Sequence, residues 1–265
     1  TIHDGQELYP KFSPDGKHIA FSGNYDGNVD VYIMPVNGGM PERMTHHFEE
    51  DYSVEWYPDG TSVLYRSGMK SPRNRFRQFF RQPASGGLAE QLPLPYAEIA
   101  TFNADSSQMV FQTISRESRT WKRYRGGMAS DLWLYDFKKN HSEKLTEFEG
   151  TDALPMWHGN TIYFMSDRDA NKKMNIWALD PGSRSFRQIT RFDEYDVKWP
   201  SMGPGHIVFE NGGKLYLIDL NTETTNQVRI QVPSDLPKAR TQMKTLSDNI
   251  TGFDLSPGGK RAVFE

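Results

Sequence analysis

The stretch Phe12-Ser13-Pro14-Asp15-Gly16-Lys17-His18-Ile19-Ala20-Phe21 carries the signal from which the fold is read. Pro14 presets φ for a turn, Asp15 can bond the backbone two residues on, and Gly16 accepts a positive φ. A short strand closing on an aromatic follows, so these residues predict a β-hairpin. The phrase returns as WYPDGTSVLY at 56–65, FNADSSQMVF at 102–111, WHGNTIYF at 157–164, WPSMGPGHIVF at 199–209 and LSPGGKRAVF at 255–264. Its closing aromatics, Phe21, Tyr65, Phe111, Phe164, Phe209 and Phe264, lie 44 to 55 residues apart, the size of one propeller blade.

Each hairpin is followed by a third strand: DVYIM from Asp30, QFF from Gln78, DLWLYD from Asp131, NIWALD from Asn175 and KLYLID from Lys214. Gly pairs such as Gly38-Gly39 and Gly86-Gly87 make the next turn, and a fourth strand runs into Arg43-Met44-Thr45, Lys144-Leu145-Thr146 or Gln188-Ile189-Thr190. A four-stranded antiparallel unit of this kind cannot cover both of its faces alone. Stacking the units around an axis buries the faces and leaves only short edges. The fold class is therefore all-β, a six-bladed propeller that is incomplete in this chain. Residues 1–250 supply five complete blades, with the first blade expected upstream of Thr1. The hairpin within 251–265 either closes that ring or opens a second propeller.

The composition fits. Of 265 residues, 13% are aromatic, and 22 Gly with 16 Pro is too rich in turn formers for a helical bundle. The net charge of −3 supplies no field that would draw the molecule to nucleic acid or an anionic membrane. With no cysteine, disulfides, thiolate catalysis and Cys-ligated zinc are excluded. No apolar run of 18 residues offers a membrane span. No nucleophile elbow, HExxH helix, GxGxxG or phosphate loop is found, so the reading assigns no catalytic residue, no cofactor and no metal to this segment.

Several smaller features read as structure. His46 and His47 beside Glu49, Glu50 and Asp51 read as a solvated connection, Asp26-Gly27-Asn28-Val29-Asp30 as a turn between second and third strands, and Ser166-Asp167-Arg168-Asp169 as a loop held by local side-chain-to-backbone bonds. Trp56, Trp157 and Trp199 recur at one position of the repeat and read as blade-packing residues; Trp121 falls outside that register.

Connections between second and third strands and between successive blades emerge on the same rim, because strand directions alternate. Two of the former are basic. Residues 66–81 hold Arg66, Lys70, Arg73, Arg75, Arg77 and Arg81 with no acid, and residues 116–125 hold Arg116, Arg119, Lys122, Arg123 and Arg125 against Glu117. The blade-to-blade loops on that rim are acidic: Glu49-Glu50-Asp51, Glu147 with Glu149 and Asp152, and Asp193-Glu194 with Asp196. The expectation is a segregated cationic sector in which Arg73, Arg75, Trp121, Lys122, Arg123 and Arg125 contact peptide carboxylates or an acidic surface of another domain or subunit, because the guanidinium fork binds carboxylates bidentately. The competing expectation is a set of exposed ion pairs worth about 0–1 kcal/mol each.

The stretch TWKRYRGGMASDLWLYD at 120–136 resembles a segment of the first propeller of tricorn-type serine peptidases, and TDALPMWHGNTIYFMSDRD at 151–169, DEYDVKWPSMG at 193–203 and IVFENGGKLYLIDL at 207–220 extend the likeness. DLSPGGKRAVFE at 254–265 resembles the start of that family's second propeller. The resemblance implies a large, oligomeric, cytoplasmic peptidase that degrades short peptides, with propellers guarding its chamber. Its partners would be peptides and its own peptidase core, with no nucleic acid and no membrane. The family's catalytic Ser, His and Glu lie in a core that these residues do not include. An arginine pair that holds the substrate's carboxyl end in one member is absent from the matching loop, Thr45-His46-His47-Phe48-Glu49-Glu50-Asp51. The hairpin phrase by itself also resembles TolB-type propellers and those of prolyl-oligopeptidase relatives, which leaves a stand-alone periplasmic binding module as the alternative.

Overall fold

The computed structural model describes residues 3, 5–71, 76–114, 122–231, 241 and 250–265. They form two compact units, Thr1–Val228 and Arg229–Glu265. All regular structure among the described residues is β. The first unit contains five antiparallel sheets of four strands, each taken in chain order. Blade 1 is β1 (Glu7–Phe12), β2 (His18–Gly23), β3 (Asp30–Pro35) and β4 (Glu42–Arg43). Blade 2 is β5 (Asp51–Trp56), β6 (Ser62–Ser67), β7 (Gln78–Pro83) and β8 (Glu90–Gln91). Blade 3 is β9 (Ile99–Phe102), β10 (Gln108–Gln112), β11 (Trp133–Asp136) and β12 (His141–Lys144). Blade 4 is β13 (Asp152–His158), β14 (Thr161–Ser166), β15 (Asn175–Leu179) and β16 (Phe186–Gln188). Blade 5 is β17 (Val197–Met202), β18 (His206–Asn211), β19 (Lys214–Asp219) and β20 (Thr225–Val228). The second unit holds a two-stranded hairpin, β21 (Phe253–Leu255) with β22 (Ala262–Phe264).

The turns form as their residues dictate. The Ser13 N–H donates to His18 O at 2.8 Å, Asp15 accepts from the Lys17 N–H at 3.1 Å, and Gly16 sits at φ 69°. In blade 2, Asp59 accepts from the Thr61 N–H at 2.9 Å. The threonine that closes the fourth-strand phrase plays the same part in three blades. Thr45, Thr146 and Thr190 each accept, through Oγ1, an N–H of the third strand or the residue before it (Val31, Leu132 and Ile176) at 2.9–3.0 Å.

Blades stack through alternate side chains of each strand. Val63 and Tyr65 of β6 join Ala20, Val31 and Ile33 of blade 1, while Leu64 between them joins Ala100, Phe102 and Met109 of blade 3. Blades 3 and 4 meet through Val110 and Leu134 against Ile162 and Phe164, and blades 4 and 5 through Tyr163 and Ile176 against Ile207 and Phe209. Strands covered on both faces are buried almost throughout, as β6 and β14 are. First strands follow one another across the stack, β1 against β5, β5 against β9, β9 against β13 and β13 against β17.

The first strands carry a feature that the repeat spacing does not show. β1, β13 and β17 are each bulged at an apolar-Pro pair, Tyr9-Pro10, Leu154-Pro155 and Trp199-Pro200, with φ of 54°, 53° and 52° at the first member. Proline cannot donate into a ladder and is accommodated at such bulges. This overturns one expectation. Trp56 and Trp157 pair with Val63 and Ile162 and are 5% and 9% exposed, but the matching position in blade 5 is Met202, opposite Ile207. Trp199 lies three residues earlier, at the bulge, and is 55% exposed.

Candidate functional site

The chain between β10 and β11 of blade 3 is the longest connection within any described blade, and its described part, 122–132, reaches two blades onward. Lys122 Nζ lies 2.8 Å from Asp196 Oδ2, on the loop that enters blade 5. Arg123, itself at φ 54°, donates from Nε to the Lys172 carbonyl of blade 4 at 3.3 Å. Arg125 donates from Nη1 to Asp167 Oδ2 at 2.7 Å, sits 3.7 Å from Glu149, and stacks over the Phe148 ring at 5.3 Å. Asp167 in turn accepts the Thr151 N–H at 2.8 Å, so Arg125 is tied to the backbone of the blade-4 entry loop. Gly150 makes room for this seat, since a Cβ there would meet Arg125 Nη1, Phe148 and Asp167.

Between this strap and the bulged strands β13 and β17 lies a cavity of about 300 Å³. Leu154, Met165, Met174 and Val197 contribute its apolar lining, Trp199 a wall, and Lys122, Arg123, Lys172 and Lys198 its cations. Burial pushes the Asp196 carboxyl up. Hydrogen bonds from Lys122 and the Met174 N–H, with the charges of Lys122 and Lys173, outweigh that and hold it below the usual carboxylate range.

Of the residues singled out from the sequence, Lys122, Arg123 and Arg125 come together here; Arg73, Arg75 and Trp121 lie outside the described residues. Among the described residues the charges do not segregate. Lys122 and Arg125 meet the acidic loops of blades 4 and 5, because basic and acidic connections share one rim and neutralise each other there. The described cations of the basic stretch 66–81 behave likewise. Arg66 is 3% exposed at the end of β6, 3.0 Å from Glu98, and it stacks over Tyr9 and Tyr52. Arg77 meets Glu50 at 3.4 Å, and Arg81 donates to Ser62 Oγ at 2.9 Å from within β7.

Two acids read as loop charges are instead fully buried at strand starts. Asp152 is held by Arg168 and Ser166 at 2.6 Å each. The Ser166–Asp169 segment keeps one local side-chain-to-backbone bond, from the Lys173 N–H to Asp169 at 3.3 Å, but Arg168 and Asp167 tie it into long-range contacts. The Asp51 carboxylate oxygens accept no hydrogen bond among the described residues, and burial pushes the carboxyl up to about 6. Among the described residues, no group of three or more His, Asp or Glu side chains is arranged to hold a metal. Sequence reasoning missed Lys172, Asp167 and the outward Trp199. The recurring apolar-Pro pair was the available signal for the last.

Comparison with known families decides the assignment. The family described as "Tricorn protease N-terminal beta propeller domain" matches residues 1–224. The chain belongs to that family. This tricorn propeller is 30% identical over 217 residues to tricorn protease homolog 1 of Streptomyces coelicolor, covering 80% of this chain and 20% of the relative. It is 25% identical over 240 residues to the tricorn protease homolog of Saccharolobus solfataricus, covering 88% and 22%. It thus spans about a fifth of the length of these curated relatives. Among solved structures, the crystal structure of the tricorn protease superposes with a TM-score of 0.74 at 21% identity, over 89% of this chain and 24% of that one. A putative TolB from Agrobacterium tumefaciens superposes at 0.64 and 19% identity, over 84% and 80%. At these identities the superpositions of the tricorn propeller speak to fold alone.

Proposed function

We propose that this tricorn propeller is a non-catalytic segment of a tricorn-like serine peptidase that degrades short peptides, and that it acts as gate or scaffold for the peptidase core. The observation that carries the reading is the family match across 1–224, against relatives of which the matched stretch is about a fifth. In this reading the chemistry belongs to the remaining length, the whole protein is a homo-oligomer, and its location is the cytoplasm. Lys122, Arg123 and Arg125, with Arg73, Arg75 and Trp121, are the contacts offered to peptide or to a neighbouring domain. What supports a gate is the strap from blade 3, pinned across blades 4 and 5 by Asp196 and Asp167. A sixth blade belongs to the same proposal. Leu215 of β19 and Phe12 of β1 are exposed on the terminal blades, at 37% and 55%, where inner blades bury their faces.

The test is peptide turnover by the full-length protein. Hydrolysis of short peptides is expected there and not in residues 1–265 alone. Replacing Lys122 and Arg125 together by alanine frees the strap and raises turnover of longer peptides relative to tripeptides. Hydrolysis by the isolated segment, or an unchanged length preference, refutes the reading. The shared TolB fold keeps one alternative, a stand-alone periplasmic binding propeller. An open reading frame that starts with a leader and ends soon after residue 265 favours it.

A further inference from the structure

On the rim opposite the strap, blades 1 and 2 share a turn that blades 3, 4 and 5 lack. Between third and fourth strands they read Asn37-Gly38-Gly39-Met40 and Ser85-Gly86-Gly87-Leu88. All four glycines take positive φ, at 92°, 133°, 84° and 106°, a region that other residues enter only under strain. The residue that follows is left clear of the sheet: Met40 is 88% exposed and Leu88 96%. Two positions further on, Glu42 and Glu90 are exposed, and neither has an ion-pair partner among the described residues. Apolar side chains scattered singly on a surface need no explanation, but the same knob beside the same unpaired acid in two neighbouring blades does.

A groove runs past these turns. Its first part, of about 740 Å³, lies between blades 1 and 2, with Met40, Glu42 and Trp56 in its lining. Its second part, of about 450 Å³, lies between blades 2 and 3, with Glu90, Leu92 and Phe137. Pro58 and Asp59 line both, so the two parts meet there. Acids dominate the lining. Asp15, Asp59 and Asp105 stand at the matching turn of three successive blades, and turn hydrogen bonds, those of Ser13, the Thr61 N–H and Ser107 foremost, hold all three below the usual carboxylate range. Lys17 offsets Asp15 at 3.5 Å. Arg81 is opposite Glu90 across β7 and β8, yet it donates to Ser62 Oγ at 2.9 Å and stacks over the Tyr57 ring. His18 is the other basic side chain in the lining.

We propose that this groove docks a basic segment of a separate partner protein, its apolar side chains against Met40 and Leu88 and its lysine or arginine ends on Glu42 and Glu90. Charge complementarity selects the partner, because the groove offers unpaired carboxylates and no free cation beyond His18 to repel a basic chain. Lysine and arginine also lay their methylene stems along apolar surface while their ends reach a carboxylate, which suits knobs and acids set two residues apart. The chain's net charge of −3 gives a second copy no overall attraction to an acidic rim. The proposal does not depend on the peptidase reading, since it concerns association and not turnover.

The probe is the peptide acetyl-LKRLK-amide, titrated by calorimetry into the full-length protein after treatment with a serine-directed inhibitor, with mass spectrometry checking that the peptide stays whole. It is compared with acetyl-LEELE-amide, which reverses the charge, and acetyl-SKRSK-amide, which removes the apolar groups. The basic apolar peptide is expected to bind about tenfold or more tightly than either. The pair Glu42→Gln with Glu90→Gln weakens it about tenfold and flattens its salt dependence, and the pair Met40→Ser with Leu88→Ser weakens it about as much. All four side chains are exposed, so thermal unfolding of these variants should match the parent. Phe48→Ser, which removes an equally exposed apolar group from the other rim, leaves binding unchanged. Equal binding of the charge-reversed peptide, binding that survives both double variants, or an equal loss in Phe48→Ser overturns the proposal. So does self-association of the full-length protein that Met40→Ser with Leu88→Ser abolishes, since a second copy would then be the occupant.

Discussion

Asp51 offers the sharpest physical test. Its carboxylate starts β5 with no solvent exposure and no hydrogen-bond partner among the described residues, facing the Thr45 and Ser67 hydroxyls, the Asp30 carboxylate and His47. Burial is the main cause of its rise to about 6 from 3.8; Asp30 adds to it, and Ser67, Thr45 and His47 offset part. The counterpart in blade 4, Asp152, is opposite Ser166 as Asp51 is opposite Ser67, but two residues beyond Ser166 stands Arg168, and two beyond Ser67 stands Met69. An acid whose folded value is raised binds its proton more tightly when folded. It therefore subtracts nothing below about pH 4, withdraws stability as pH rises toward 6, and exacts the full loss above that. At about 1.36 kcal/mol for each pH unit between the two values, the loss amounts to about 3 kcal/mol. Asp51→Asn keeps the shape and removes the charge. Urea unfolding should show the variant more stable than the parent by up to about 3 kcal/mol at pH 7.5 and equal to it at pH 4. Taking the difference between the two proteins cancels every titrating group that does not interact with Asp51; Asp30 and His47, which do, are the smaller causes. A variant less stable at pH 7.5, or an offset that is the same at both pH values, refutes the reasoning.

Arg168→Ala should cost about 3–5 kcal/mol in urea unfolding at pH 7.5, because it strands Asp152 in the interior, with the loss shrinking at acid pH as that carboxyl protonates; a loss under about 1 kcal/mol would contradict the pairing. Gly150→Ala displaces Arg125 from Asp167 and should destabilise by about 1–3 kcal/mol, with limited proteolysis cutting the strap near 122–125 sooner than in the parent. Lys122→Ala by itself should change stability by less than about 1 kcal/mol, since the ammonium is exposed; a larger loss in thermal unfolding would mean that the strap carries part of the fold.

The hairpins were legible because their causes are local. Pro, Asp, Asn and Gly, in different combinations, set the turns within a few residues, and alternation along a strand announces which side chains face which neighbour. The family was legible for a related reason, as WKRYRGG and its companions form one continuous text. The candidate site was half legible. Lys122, Arg123 and Arg125 stand out as a basic run, yet their partners Asp196, Lys172 and Asp167 lie 74, 49 and 42 residues further on.

From its own sequence the protein was determined to be an array of four-stranded blades with a basic insertion in the third, because turn chemistry and strand period act over neighbouring residues. Tertiary structure alone decided which charges are spent and which are free. Lys122 and Arg123 are adjacent and alike in sequence, and only the seating of the strap on blades 4 and 5 gives one a carboxylate and leaves the other open. It also decided that Asp51 and Asp152, read as surface acids, are buried, and that Trp199 faces outward, since burial and bulge register depend on what the neighbouring blade brings.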